Sequence, residues 1–263
     1  MIKILVNGAY GRMGRAMSAK ILQEDDMQIV AAVDIMGAGT DIGTLHGKEP
    51  IGVVIENDLA TAIEKAKPQV MLDFTHPQAV MNNIRTALGA KVACVVGTTG
   101  LTDKDLAEVE ELAKANDTPI FAASNFAISA VLMMRFAAEA VKYMPQFEIV
   151  ETHHADKLDA PSGTALTTAK MMCANRPEIG EQPVGHEAIP GCRGGEYEGA
   201  HIHSVRVPGV ISMQDCIFGA PGQLLTIRAE STNAECFFPG VAMALRRVLS
   251  LKGLTFGLEK LMD

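Results

Sequence analysis

The sequence predicts an α/β protein in which a doubly wound parallel sheet is followed by an α+β domain with a mainly antiparallel sheet. Three observations predict it. Short apolar runs at residues 2–6, 28–33, 70–74, 92–96 and 120–123 alternate with helix-like segments, the pattern of parallel strands joined by crossover helices. The first run enters a helix through the glycine-rich turn Gly8-Ala-Tyr-Gly11-Arg-Met-Gly14. Beyond residue 200 the texture changes to three alternating runs, 201–207, 210–217 and 223–230, separated by short Pro/Gly turns, which read as antiparallel strands.

Composition narrows the function classes. With 263 residues, 48% of them hydrophobic, the chain can bury the core of one large domain or two modest ones. Fifteen methionines and no tryptophan make that core aliphatic and thioether-rich. A net charge of -8 argues against a nucleic-acid partner, which needs a basic surface to displace counterions. Five cysteines without a C-x-x-C pair suggest neither a disulfide framework nor a zinc site. The chain starts directly on a strand pattern and contains no apolar run long enough for a bilayer. A soluble cytoplasmic enzyme without membrane or metal is the expectation.

In the first strand–turn–helix, Gly11 lets the backbone approach a pyrophosphate, and Gly14 lets helix and strand pack closely. The spacing is G-x-x-G-x-x-G, with Ala9 where the usual G-x-G-x-x-G has its first glycine. Glycines alone also suit any tight turn. Asp34 adds weight: it ends the second strand about twenty residues past Gly14, where a carboxylate accepts from an adenosine ribose. These features define a Rossmann-type dinucleotide domain over 1–126. Ile35-Met-Gly-Ala-Gly39 brings no cation to a 2′-phosphate, so NADH is preferred, with Arg12 softening the bias toward NADPH.

Residues 37–52 read as a mobile glycine-rich loop and 59–66 as a short helix. Further helices are expected at 78–88, at 103–115 with Thr102 as N-cap, and at 127–144, closed by Pro145. A strand at 146–152 leads to Glu151-Thr-His-His-Ala-Asp-Lys-Leu-Asp-Ala-Pro-Ser-Gly-Thr-Ala165, then a helix at 164–174 and a Gly/Pro-rich loop at 176–200. A last helix at 240–251 and the tail to 263 are placed back on the first domain, leaving 127–239 as the second.

The stretch 151–165 holds the chemistry. His153 and His154 are adjacent and point to opposite faces of a strand. Lys157 supplies a cation, and Ser162, Gly163 and Thr164 offer N–H groups and hydroxyls to an anion at a helix start. The plain alternative is a solvated His pair before a capped turn. Neither a metal site, for want of a converging third ligand, nor a G-x-S-x-G hydrolase elbow is present in the pattern.

Taken together, Gly8–Gly14, Asp73-Phe-Thr-His-Pro77, Val96-Gly-Thr-Thr-Gly100, Ser124-Asn-Phe126 and His153-His-Ala-Asp-Lys-Leu-Asp-Ala-Pro-Ser-Gly-Thr-Ala165 resemble the 4-hydroxy-tetrahydrodipicolinate (dihydrodipicolinate) reductase family of lysine and diaminopimelate biosynthesis. The resemblance implies NAD(P)H-dependent reduction of a cyclic hydroxy-dicarboxylate with loss of water. It makes His153 the general acid/base and Lys157 the proton donor, with His154, Ser162, Gly163 and Thr164 on the substrate. It places the cofactor on Gly8, Ala9, Tyr10, Gly11, Arg12, Met13, Asp34, Phe74, Gly97, Thr98, Thr99, Ala123, Ser124, Asn125 and Phe126. It further implies a substrate domain that builds a homotetramer. Four residues depart from the family pattern: Ala127 and Ser129 after Asn-Phe, and Ala229 and Ala234 near the last strand. A reductase of another cyclic imine or enamine dicarboxylate, and a catalytically silent NAD-binding sensor, stay open on sequence alone.

Overall fold

The computed structural model describes residues 1–178 and 185–262. The chain divides into two compact units, Met1–Phe126 together with the stretch from Phe237 onward, and Ala127–Cys236.

The first unit carries β1 (Ile2–Asn7), α1 (Arg12–Ile21), β2 (Met27–Val33), α2 (Ile42–Leu45), β3 (Ile55–Glu56), α3 (Leu59–Ala66), β4 (Val70–Asp73), α4 (Pro77–Gly89), β5 (Ala93–Val96), α5 (Asp103–Asn116) and β6 (Ile120–Ala122). Its sheet has the order β12-β6-β5-β4-β1-β2-β3, where β12 (Leu254–Phe256) adds in parallel to β6. The winding reverses between β1 and β4, which makes the tips of those strands a ligand crevice. Leu5, Met71, Cys94 and Val96 pack with Ile84, Leu88 and Val109 of α4 and α5 in one apolar cluster. The alternate residues Ile4, Val6, Leu72 and Val95 are equally buried and face the other way, as the two-residue period of a strand requires. Thr102 caps α5 in a reciprocal box with Asp105.

Some expected elements differ. Residues 37–52 contain the turn of helix α2, capped by Asp41, and Ile42 and Ile55 bond back across the loop to Val53 and Thr40. The loop is therefore tied, because Asp41 Oδ1 accepts from Gly43, Thr44 and Ile51. The helix expected at 127–144 is α6 (Ile128–Ala140), and the last one is α8 (Phe238–Arg247), followed by 3-10 turns. Arg246 of α8 binds Asp26 at 2.8 Å and also Glu24, which ties the C-terminal stretch to the turn between α1 and β2.

In the second unit, β7 (Gln146–His153) lies at the centre of a sheet ordered β11-β10-β7-β9-β8, formed with β8 (Gly195–Tyr197), β9 (Ala200–Arg206), β10 (Ser212–Ala220) and β11 (Gln223–Ser231). The pairs β10–β11, β10–β7 and β8–β9 are antiparallel. The run at 201–207 departs from the antiparallel reading, since β9 lies parallel to β7 and is separated from β10 by it. The physical reason is α7 (Gly163–Asn175): β7–α7–β9 is a crossover unit, and a helical crossover joins parallel strands. Phe147, Ile149, Ile202, Cys216 and Phe218 are buried on one face. Residues 179–184 of the loop expected at 176–200, and residue 263 of the tail, lie outside the described residues.

Candidate active site

In the first unit, glycine is required where the backbone has no room. Gly8 has φ +82°, and a Cβ there would meet the Phe74 carbonyl oxygen at 2.2 Å. A Cβ on Gly14 would meet the Gly8 carbonyl at 2.0 Å, so α1 sits directly on the turn. Gly11 is the N-cap of α1, without a side-chain cap and with no acidic residue in the first turn. The N–H groups of Arg12 and Met13 thus lie at a helix start that has no side-chain cap and no acid in its own first turn.

Asp34 Oδ2 accepts from the N–H of Tyr10 at 2.8 Å and of Gly11 at 3.2 Å, and Oδ1 from Met36. The acid just past the end of β2 therefore holds the glycine turn. Arg15 stacks 4.0 Å over the Tyr10 ring and donates to its carbonyl at 2.9 Å. Its guanidinium is thereby committed to the turn.

At the tips of β4, β5 and β6, a Cβ on Gly97 would meet the Phe74 ring at 2.1 Å. The Phe74 ring in turn lies 6.1 Å from that of Phe126. Ala9, Ala123 and Phe126 are buried and Thr98 nearly so, so these positions offer a ligand their backbone rather than their side chains. Thr99 and Ser124 are exposed. The tight glycine turn and the uncapped helix end are what a dinucleotide's pyrophosphate needs, and the residues present fit that group.

In the second unit, His153 ends β7 on the same face as Glu151. Its Nδ1 lies 2.5 Å from Glu151 Oε2. Glu151 is fully buried. Arg206, brought beside His153 by the β7–β9 register, donates to both carboxylate oxygens at 3.0 and 2.8 Å. The backbone N–H of Ser162 donates to Oε1 at 3.2 Å.

Burial alone would raise the Glu151 pKa, but hydrogen bonds from His153, Arg206 and Ser204 outweigh it and bring the carboxyl down to about 2. An ionised carboxylate only accepts. Nδ1 of His153 therefore carries the hydrogen, and Nε2 is the ring nitrogen left for a ligand.

Arg206 also donates to the Asp159 carbonyl at 2.7 Å, which links the loop to the strand. Lys157 Nζ is 2.7 Å from Asp159 Oδ1, and that hydrogen bond holds the Asp159 carboxyl below its usual range. Ser162 caps α7 by accepting from Ala165 at 3.2 Å. Space beside Gly163 is open. His154 lies just beyond β7, partly exposed, and its carbonyl accepts from Lys157 N.

One strand end and one loop thus gather His153, Lys157, Ser162 and Gly163. Glu151 and Arg206 join this cluster through their bonds to His153 and to each other, and the sequence assigned neither a role. The signal that could have found Arg206 is the strand–helix–strand order of β7, α7 and β9, which predicts parallel neighbours. Ala229 is buried in β11 opposite Gln214, and Ala234 opens a 3-10 turn.

A doubly wound sheet with a glycine turn and an acid after its second strand, carried on one chain with a carboxylate–histidine–arginine cluster, defines a dinucleotide-dependent oxidoreductase. The sequence profile described as dihydrodipicolinate reductase, N-terminus, matches residues 2–126, and that of the C-terminus matches residues 129–262. The 4-hydroxy-tetrahydrodipicolinate reductase of Moorella thermoacetica is 47% identical, covering 100% of this chain and 98% of its own. That of Listeria innocua is 43% identical over the full length of both. Among solved structures, dipicolinate-bound dihydrodipicolinate reductase from Paenisporosarcina sp. TG-14 aligns with a TM-score of 0.85 at 40% identity, covering 99% of each chain.

The chain belongs to the dihydrodipicolinate reductase family. It is accordingly an NAD(P)H-dependent oxidoreductase that uses a nicotinamide cofactor. Among the described residues no helix is long and apolar enough to cross a membrane.

Proposed function

We propose that the chain reduces 4-hydroxy-tetrahydrodipicolinate to tetrahydrodipicolinate in lysine and diaminopimelate biosynthesis, consuming NADH and a proton and releasing NAD+ and water. The observation that carries this reading is the Glu151–His153–Arg206 arrangement beside Lys157 and the start of α7. The bound nicotinamide supplies the hydride. His153, oriented through Nδ1, acts as general acid/base at Nε2, and Lys157 donates the proton that balances the charge left by the departing hydroxyl. His154, Ser162, Gly163 and Thr164 hold the substrate carboxylates, with the helix end favouring the anions. The purified chain is expected to oxidise NADH when enzymatically generated substrate is added, and folded protein without that oxidation contradicts the reading.

The cofactor sites follow the cradle. Gly8 to Met13 take the pyrophosphate, Asp34 the adenosine ribose, and Phe74, Gly97–Thr99 and Ala123–Phe126 the nicotinamide half. NADH is preferred to NADPH, because Asp34 repels a 2′-phosphate and one of the two arginines at the start of α1, Arg15, is held by Tyr10, which leaves Arg12 to soften the bias. Asp34→Ala is expected to raise the NADH dissociation constant about tenfold, the worth of a hydrogen bond to a charged acceptor, while NADPH binding changes less than about twofold. Calorimetric titration checks it; equal losses would mean that Asp34 acts only through the glycine turn.

The second unit is also proposed to build a homotetramer through its sheet. Leu224 is 73% exposed and Val205 37%, an apolar surface that a monomer would leave in water. Light scattering behind gel filtration should return a four-chain mass, and a monomer mass would refute the assembly.

A further inference from the structure

Asp73, the last residue of β4, is fully buried, and none of the steps above uses it. Its Oδ2 accepts from the side-chain amides of Asn7 at 2.8 Å and Asn83 at 2.9 Å. Its Oδ1 accepts from the hydroxyls of Thr98 at 2.5 Å and Thr75 at 2.9 Å, and from the Thr75 N–H at 3.2 Å. Thr98 Oγ1 already accepts from Thr75 N at 2.7 Å, and Thr75 Oγ1 from Asn83 at 3.1 Å. Both hydroxyl hydrogens are thus turned onto the carboxylate.

Among the described residues every one of these donors is neutral. Asp73 is a buried carboxylate surrounded by dipoles, and among the described residues no cation bonds to it. Its charge is felt on the next strand, where the Cys94 thiol is pushed up by burial and then by Asp73.

The position of this anion matters. The network joins the end of β1 at Asn7, the tip of β4 at Thr75 and the tip of β5 at Thr98. It encloses Phe74, whose carbonyl touches Gly8 and whose ring touches Gly97. Asp34 marks the adenosine side at β2, so the other half of a dinucleotide falls across β1 toward the tips of β4 and β5. The nicotinamide ring is neutral before it gives up hydride and positive afterwards. In a site of low effective dielectric, a fixed negative charge acts on that difference far more strongly than in water.

We infer that Asp73 is a positioning residue that also acts through its charge. It sets the tips of β1, β4 and β5 in register, and its buried carboxylate favours the oxidised, positive form of the bound nicotinamide over the reduced one. The inference rests on the cofactor reading given above.

The test is the dissociation constants of NADH and NAD+, measured calorimetrically without substrate, for the wild type, Asp73→Asn and Asn83→Lys. Asp73→Asn keeps the shape and removes the charge, and it should weaken NAD+ relative to NADH on the order of tenfold. Asn83→Lys sets a cation against Asp73 from a partly exposed helix position and should shift the ratio the same way. A purely structural role would weaken both forms by the same factor, and an unchanged ratio in both variants overturns the inference alone. Should Asp73→Asn fail to fold by circular dichroism, Asn83→Lys decides. A wild type that binds neither form overturns the cofactor reading and, with it, the inference.

Discussion

Lys157→Ala is expected to lower kcat about 10³-fold, close to 4 kcal/mol of transition-state stabilisation, while the NADH dissociation constant stays within about twofold. The split follows from the lysine's place. Lys157 lies on the loop after β7, in the second unit, whereas the dinucleotide cradle is built from the strand tips of the first. Its ammonium is anchored by Asp159 at 2.7 Å. A proton donor acts as charge develops, and its loss appears in kcat. Steady-state kinetics with calorimetry checks this, and near-normal kcat would remove Lys157 from the chemistry.

Glu151→Gln is expected to lower stability by about 3 kcal/mol, the cost of breaking one partner out of a buried ion pair, and to reduce kcat by about one to two orders of magnitude. Arg206 would lose its buried counter-charge, and Nδ1 of His153 would face a neutral amide that has one accepting oxygen for the donors now shared by two. The acid dependence of stability carries the same signature. The Glu151 carboxyl is held at about 2 against its ordinary 4.5. Its contribution is fully present above 4.5 and is lost as pH falls through 2. Denaturant midpoints between pH 5 and pH 2 should therefore fall more gently in the variant than in the wild type. Parallel pH profiles would show that the ion pair does not stabilise the folded chain.

How far the residues revealed these arrangements depends on distance along the chain. The glycine turn and Asp34 were legible because one strand–turn–helix–strand unit contains them, and the physical demands of that turn, positive φ at Gly8 and no Cβ at Gly14, can be met only by glycine. The cluster at 151–165 was legible because its residues are close in sequence. Arg206 was not, because only the parallel pairing of β9 with β7 brings it 55 positions back to Glu151. The short Pro/Gly turns on either side of β10 look alike in sequence, yet only the second closes a hairpin, since β7 occupies the place beside β10 that the first would have filled. Asp73 was visible as part of a motif, but its meaning as a buried anion depends on Asn7, Asn83 and Thr98, which converge only in the folded sheet. The bonding within 37–52 was hidden for a similar reason: glycine content signals freedom, whereas one carboxylate, Asp41, removes it.

The most direct test of the central claim follows the hydrogen itself. The chain is incubated with enzymatically generated 4-hydroxy-tetrahydrodipicolinate and NADH deuterated at both positions of nicotinamide C4, and the products are weighed by mass spectrometry. The account predicts tetrahydrodipicolinate carrying one deuterium at the ring carbon that bore the hydroxyl, in equal amount to the NAD+ formed. Product without deuterium, or no product from folded protein that binds NADH, would contradict it.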